Sequence, residues 1–313
     1  RFILFPIQYP KIWGMYKEAK SSFWTTEDIC LVRDRLHWQQ ELDDDKCLFI
    51  YQRLTTSDLP NLTFLAMVNH AVNPEPAKQF CLEVQIAEAR SFYGFQTMKE
   101  NIHCENYSLL MKTFLDCTVP PHTSFENLEN IPWLKQKREW TRQHLSPHTS
   151  SFSECVITFI AENGIIFMSS FTAVFWLKQH NLLPGLSFAF ELTYQDLWLH
   201  IQFASHLFSL LQQHPHPCII EQIINEAVQL ELELLSNAIP INTFGINPKL
   251  MSEFIQFLAN DPLLSLGHSK LYHAVNPFPS LPTSLFHMHQ QQVSRESIHL
   301  PQCNMQDFSL ANL

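Results

Sequence analysis

The segment VITFIAENGIIFMSSFTAVFWL, residues 156–177, is apolar around its whole circumference when wound as a helix, so something must enclose it. Its length would suit a bilayer. Glu162 and Asn163, however, fall near its middle, where hydrocarbon makes a charged or amide side chain costly. Enclosure by protein is the better solution: a helix buried on all sides inside a bundle of other helices, with no membrane span.

The chain supplies the other helices. A long helical run extends from Glu83 to about Leu115, and ENLENIPWLKQKREWTRQH (126–144) has an amphipathic pattern. A further run goes from about Ser187 to Gln213, and IIEQIINEAVQLELELLSNAIP (219–240) reads as a clear helix. With only 6 Gly, 46% hydrophobic residues and long stretches free of Pro, an all-α fold is expected over a turn-rich sheet protein. The first forty or so residues read as an extended, aromatic-rich start, after which Thr25 could cap a helix with Asp28. TTSDLPN (55–61) breaks a helical pattern at Pro60, and TVPPHTS (118–124), LSPHTSS (145–151) and HPHP (214–217) read as loops. No compositional shift divides the 313 residues, so one helical domain is expected over 1–279. Beyond NPF (276–278) the periodicity is lost, and 280–313 is expected to be a flexible tail. The chain opens at Arg1 without a Met and is expected to be part of a longer one.

Charge and cysteine use narrow the function. The formal charge of −10 is dispersed and leaves no basic stripe for a phosphate backbone, which argues against nucleic-acid binding. The 8 Cys are scattered, without a C-x-x-C pair or a signal peptide, as expected of mostly reduced thiols in a cytoplasmic protein.

Chemistry concentrates on the run from Glu83. Tyr93, Gln96, Glu100, His103 and Tyr107 fall on one helical face, and Glu100 and His103, three apart, could hold one metal ion together. A second helix offers QDLWLH, where His200 lies four residues after Asp196. Inward-facing Glu and Glu-x-x-His pairs build di-iron carboxylate sites in four-helix bundles, although one such pair also arises on ordinary solvated or core helix faces.

RFILFPIQY, EVQIAEARSFYGFQ followed by ENIHCENYSLL, FWLKQHNLLPGLSF, NPF and the closing FSLANL together resemble the small subunit of class I ribonucleotide reductase, in the version found in animals and some of their viruses. The resemblance runs from Arg1 to Phe278 and implies a ferritin-like helical fold. It also implies a di-iron centre that generates a tyrosyl radical, a dimer, and a large subunit that reduces ribonucleotides to deoxyribonucleotides.

Carried over residue by residue, Glu100 and His103 match a bridging carboxylate and its imidazole, Tyr107 the radical tyrosine, and His200 the second imidazole. Trp24 and Asp196 match the radical-transfer residues, and Phe167 with Phe171 the apolar wall around the tyrosine. Three carboxylate ligand positions are substituted, by Asn69, Asn163 and Leu197. Iron prefers anionic oxygen ligands, and buried charge without compensation costs several kcal/mol or more, so the di-iron centre is expected to be impaired. Glu162 could rescue it if a π-bulge turned that residue inward, and Asp58 is a weaker substitute. Glu100, His103 and His200 could instead hold a single Fe(II) or Zn ion, or no metal at all. No Tyr follows Tyr272, and the family's tail tyrosine falls near Val293. Phe308, Leu310 and Leu313 remain as anchors for the large subunit.

Two readings stay open: an impaired radical-generating subunit, or a non-catalytic homologue that pairs with itself or an intact small subunit and competes for the large subunit. A third is a decayed gene copy.

Overall fold

The computed structural model describes residues 4–42, 47, 50, 83–115, 132–146, 149–166, 168–237 and 247–278. Regular structure among them is helical. The main helices are α1 (Pro10–Ser21), α2 (Val32–Gln40), α3 (Ala87–Leu115), α4 (Pro132–His144), α5 (Phe152–Ala161), α6 (Met168–Gln179), α7 (Pro184–Ser209), α8 (Pro217–Asn237) and α9 (Pro248–Ser265). A 3₁₀ turn covers Thr26–Asp28, where the Thr25 backbone N–H donates to Asp28 Oδ2 at 2.8 Å, so the cap read from sequence closes one turn and not a full helix. The break at 55–61, the loop at 118–124 and the tail from 280 lie outside the described residues.

Two elements depart from the sequence reading. The aromatic start is not extended throughout: Pro10 fixes the first turn of α1, and Ile12, Met15 and Ala19 recur at helical spacing on its buried face. Helix α9 was not anticipated, although Met251, Phe254, Ile255 and Leu258 recur at helical spacing on its buried face; Asn247 caps it by accepting from the Lys249 N–H at 2.9 Å. The cysteines also depart in one case, since Cys30 is disulfide-bonded, while Cys47, Cys104, Cys155 and Cys218 are free thiols.

The apolar run at 156–177 is buried by protein as expected, but not as one helix. It forms α5 and α6 joined by a π-helical turn, Glu162–Ile166. Among the described residues no helix is long and apolar enough to cross a membrane. The wider turn leaves carbonyls to be satisfied by side chains. Asn163 Nδ2 donates to Phe159 O at 2.8 Å, and Lys137 Nζ, from α4, donates to Ile166 O at 3.1 Å. Lys137 also pairs with Glu231 of α8 at 2.6 Å, deep in the core. Gly164 faces Pro262 of α9, whose Cγ lies 3.0 Å from where a Cβ would stand, so a larger residue would press the two helices apart.

Helix α7 is the axis of the bundle, packing against α1, α2, α3, α5, α6 and the π turn. Its entry is held by α2. Leu183 precedes it with φ 46° and offers no side-chain cap, so the buried Asp34 carboxylate takes that part, accepting the N–H of Gly185 at 2.9 Å and of Leu186 at 2.8 Å. Position 185 has to be glycine, because a Cβ there would stand 2.3 Å from Cys30 O.

Asp34→Ala should remove both cap bonds and leave buried N–H groups unmet, lowering unfolding free energy by about 2–3 kcal/mol. Urea denaturation checks this; a loss below about 0.5 kcal/mol would mean that Asp34 does not hold the α7 entry.

Candidate functional site

The 29 residues of α3 place a polar stripe against the core. Gln96, Lys99, His103, Asn106 and Tyr107 are all buried there, and Glu100 is half-buried. Opposite them α7 buries Asp196, Leu197 and His200, and the segment before the 3₁₀ turn brings in Trp24.

One oxygen organises the cluster. Asp196 Oδ2 lies 2.8 Å from His103 Nε2, 2.8 Å from Trp24 Nε1 and 3.0 Å from Lys99 Nζ. Since a carboxylate can only accept, His103 carries its hydrogen on Nε2, which fixes the ring's orientation. The imidazole stacks on Trp24 with centroids 5.7 Å apart. Lys99 Nζ stands 4.6 Å from the Trp24 ring centroid and 5.4 Å from that of Phe23, so its remaining charge rests on aromatic faces. Burial would raise the Asp196 carboxyl, but the His103 hydrogen bond and the charges of His103 and Lys99 outweigh it and hold it below its ordinary value. Burial lowers the Lys99 ammonium, and Asp196 restores part of the loss.

The sequence-expected ligands are not gathered by this arrangement. Among the described residues no three His, Cys, Asp or Glu side chains come together to hold a metal ion. Glu100 Oε1 accepts from Gln96 Nε2 at 3.0 Å on its own helix. His200 sits edge-on to Phe92 at 6.2 Å, and burial depresses its imidazole to about 3, so it is neutral at physiological pH. Leu197 is buried carbon, and the Asn163 amide is engaged with Phe159 O.

The π turn envisaged as a rescue for Glu162 is present, yet Glu162 Oε1 accepts from Thr141 of α4 at 3.1 Å. Asn69, Asp58, Phe167 and the tail anchors Phe308, Leu310 and Leu313 lie outside the described residues. The donors described here do not fit a di-iron centre: such a site needs several anionic oxygens aimed at the ions, whereas Leu197 offers carbon, the Asn163 amide is bonded to Phe159 O and Glu100 accepts from Gln96.

Tyr107 is buried, with an aromatic neighbour on one side. Its ring meets Phe190 at 5.7 Å, and Phe171 lies one ring further on, 5.3 Å from Phe190. Trp24, Asp196 and His103, taken from distant parts of the sequence, do come together as expected. Sequence reasoning missed Lys99 and Thr141. Lys99 stands four residues before His103, a spacing that puts both on one helix face, and that was its only signal.

Comparison with known proteins gives a consistent relationship. A family model described as ribonucleotide reductase, small chain, matches residues 1–277. The ribonucleoside-diphosphate reductase small chain of Neurospora crassa is 41% identical over 278 residues, which are 89% of this chain and 66% of that relative. The ribonucleoside-diphosphate reductase small subunit of Dictyostelium discoideum is also 41% identical, over 89% of this chain and 80% of its own. This chain thus spans just under two thirds of the first relative and more of the second. The structure of the ribonucleotide reductase Rnr4 homodimer from Saccharomyces cerevisiae matches with a TM-score of 0.79 and 34% identity, covering 89% of this chain and 86% of that one. The fold is the ferritin-like helical bundle expected from the sequence.

His200 gives the site a pH signature. Its folded value near 3 lies below the ordinary imidazole value of 6.5, so between those limits the unfolded chain binds the extra proton and stability falls on acidification. Asp196, also depressed, adds a further loss as pH falls through its own folded value, below 3.8. His200→Gln should flatten the stability decline between pH 6.5 and about 4.5 by on the order of 1 kcal/mol per pH unit. Chemical denaturation across that range tests it, an unchanged slope being the contrary result.

Proposed function

The chain belongs to the ribonucleotide reductase small-chain family, and on that premise we propose that it acts in ribonucleotide reduction by assembly and not by forming a radical of its own. The observation that carries this reading is that Leu197 and Asn163, which stand at two ligand positions by resemblance, present buried carbon and an amide already bonded to Phe159 O. The bundle keeps its shape with aromatic packing, helix caps and internal ion pairs, none of which needs a metal. What such a subunit offers its relatives is a folded surface.

The partners in this reading are a second copy of the chain or an intact small subunit, together with the ribonucleotide reductase large subunit. The likeness to a solved homodimer supports the first. Phe308, Leu310 and Leu313, in the closing DFSLANL, are the proposed anchors for the large subunit. The proposed compartment is the cytoplasm, where Cys47, Cys104, Cys155 and Cys218 stay reduced.

A second reading is favoured by one observation. Trp24, Asp196 and His103 form a continuous hydrogen-bonded chain, the arrangement that the radical-generating reading assigns to electron and proton transfer. In that reading Glu100, His103 and His200 bind the family's iron and Tyr107 carries the radical. The bond from His103 Nε2 to Asp196 is one that a ligating imidazole also makes through its other nitrogen; what weighs toward assembly is the loss of carboxylates at the Asn163 and Leu197 positions.

Anaerobic Fe(II) loading followed by oxygen separates the readings. Assembly predicts little iron and no tyrosyl signal by electron paramagnetic resonance, together with measurable binding to the large subunit that weakens when residues 307–313 are removed. About two irons per chain with a tyrosyl signal would overturn it.

A further inference from the structure

Asp196 and Lys99 are 5% and 1% exposed, so neither charge is compensated by water. Trp24 contributes a neutral N–H to Asp196, and the imidazole of His103 can contribute one as well. Lys99 therefore brings the one permanent positive charge among the described partners of this carboxylate. Its position is built by three elements. Helix α3 carries Lys99 and His103 one turn apart, α7 presents Asp196, and Trp24 with Phe23 closes over the ammonium. Phe23 is half exposed while Lys99 beneath it is not, so an aromatic lid keeps the ammonium from reaching solvent. A lysine stem is long enough to carry its charge out to water where the surroundings allow, and here they direct it inward instead.

We propose that Lys99 is an internal counter-ion that supplies, from the polypeptide, the positive charge that the buried Asp196 carboxylate needs at the centre of the bundle. The inference deepens the assembly reading and rests on it. Lys99 acts here as a positioning residue: it fixes Asp196, and Asp196 in turn fixes the Nε2–H of His103 and the Trp24 indole.

A double-mutant cycle on the full chain tests the assignment. Lys99→Met keeps the stem length and removes the charge, leaving Asp196 buried and uncompensated; the folding constant is expected to fall about 100-fold or more. Asp196→Asn alone should strand the ammonium and also weaken folding. The Lys99→Met, Asp196→Asn double variant should be at least tenfold more stable than the product of the two single effects, since it removes both charges together. Recovery of a folded double variant where Lys99→Met itself does not fold supports the proposal equally. Lys99→Met within about threefold of the parent, strictly additive effects, or a double variant no more stable than Lys99→Met would overturn it.

The thermal midpoint of the parent protein, measured with and without a chelator alongside its iron content, is expected not to move. A drop on chelation with bound iron present would sink the assembly reading itself, whereas a flat response with no coupling in the cycle would sink only the role of Lys99.

Discussion

A buried carboxylate must find positive charge or hydrogen-bond donors, and the inner wall of this bundle is arranged around the answer given to Asp196. Two N–H donors, from His103 of α3 and from Trp24, and the Lys99 ammonium converge on one of its oxygens. That convergence sets how α7 approaches α3, which imidazole nitrogen carries hydrogen, and where the indole lies. Because the surroundings are dry, each contact is worth more than it would be in water, and the loss of any one is correspondingly more damaging. Aromatic packing around Tyr107 and Phe190 then continues the same interface without further polar demands.

The same solution recurs beneath the π turn. Lys137 from α4 satisfies a carbonyl freed by the wide turn and neutralises Glu231, which is fully buried on α8. Two lysines thus act as internal cations in a chain whose net charge is −10. A buried ion pair is seldom more stabilising than a well-packed apolar pair would be, but breaking one by removing a single partner is severe. Such pairs therefore hold the helices in one relative arrangement. For a family member proposed to work through its surface, a single rigid arrangement of helices is the property that matters, because partners read shape and not the contents of the core.

Much of the fold was legible from periodicity. α3, α7 and α8 follow apolar spacings that have one helical solution, and the burial of 156–177 followed from its all-round apolarity together with Glu162. α1 was harder, because aromatic residues at its N-terminal end suit an extended chain as well as a helix. α9 was passed over although Met251, Phe254, Ile255 and Leu258 carry a helical spacing; Pro262 lies only in its last turns and leaves that pattern intact. In the site, the residues that meet through a single oxygen were identifiable by family resemblance. Their pairing with Lys99 was not, since a lysine in a long helix is ordinarily read as solvated. Glu162 shows a different limit: the π turn could be anticipated, but where its carboxylate points depends on Thr141, a residue of another helix.

The π turn also makes chain length a variable of the core. A π turn holds one residue more than the α-helical turn it replaces, so removing a residue between 162 and 166 would restore a regular helix. The helices on either side would keep their register, because the wide turn has already absorbed the extra residue. Residues 155–161 of α5, buried around their whole circumference, and α6, wedged against α7, could stay in place. The change would fall on the junction itself, where Glu162 and Asn163 stand. A one-residue deletion would therefore re-aim the carboxylate and the amide together while leaving every side chain of the core chemically the same. For a lineage carrying this sequence, the polar content of its interior can be reset by a change in the number of codons, with no change in what any of the others specify.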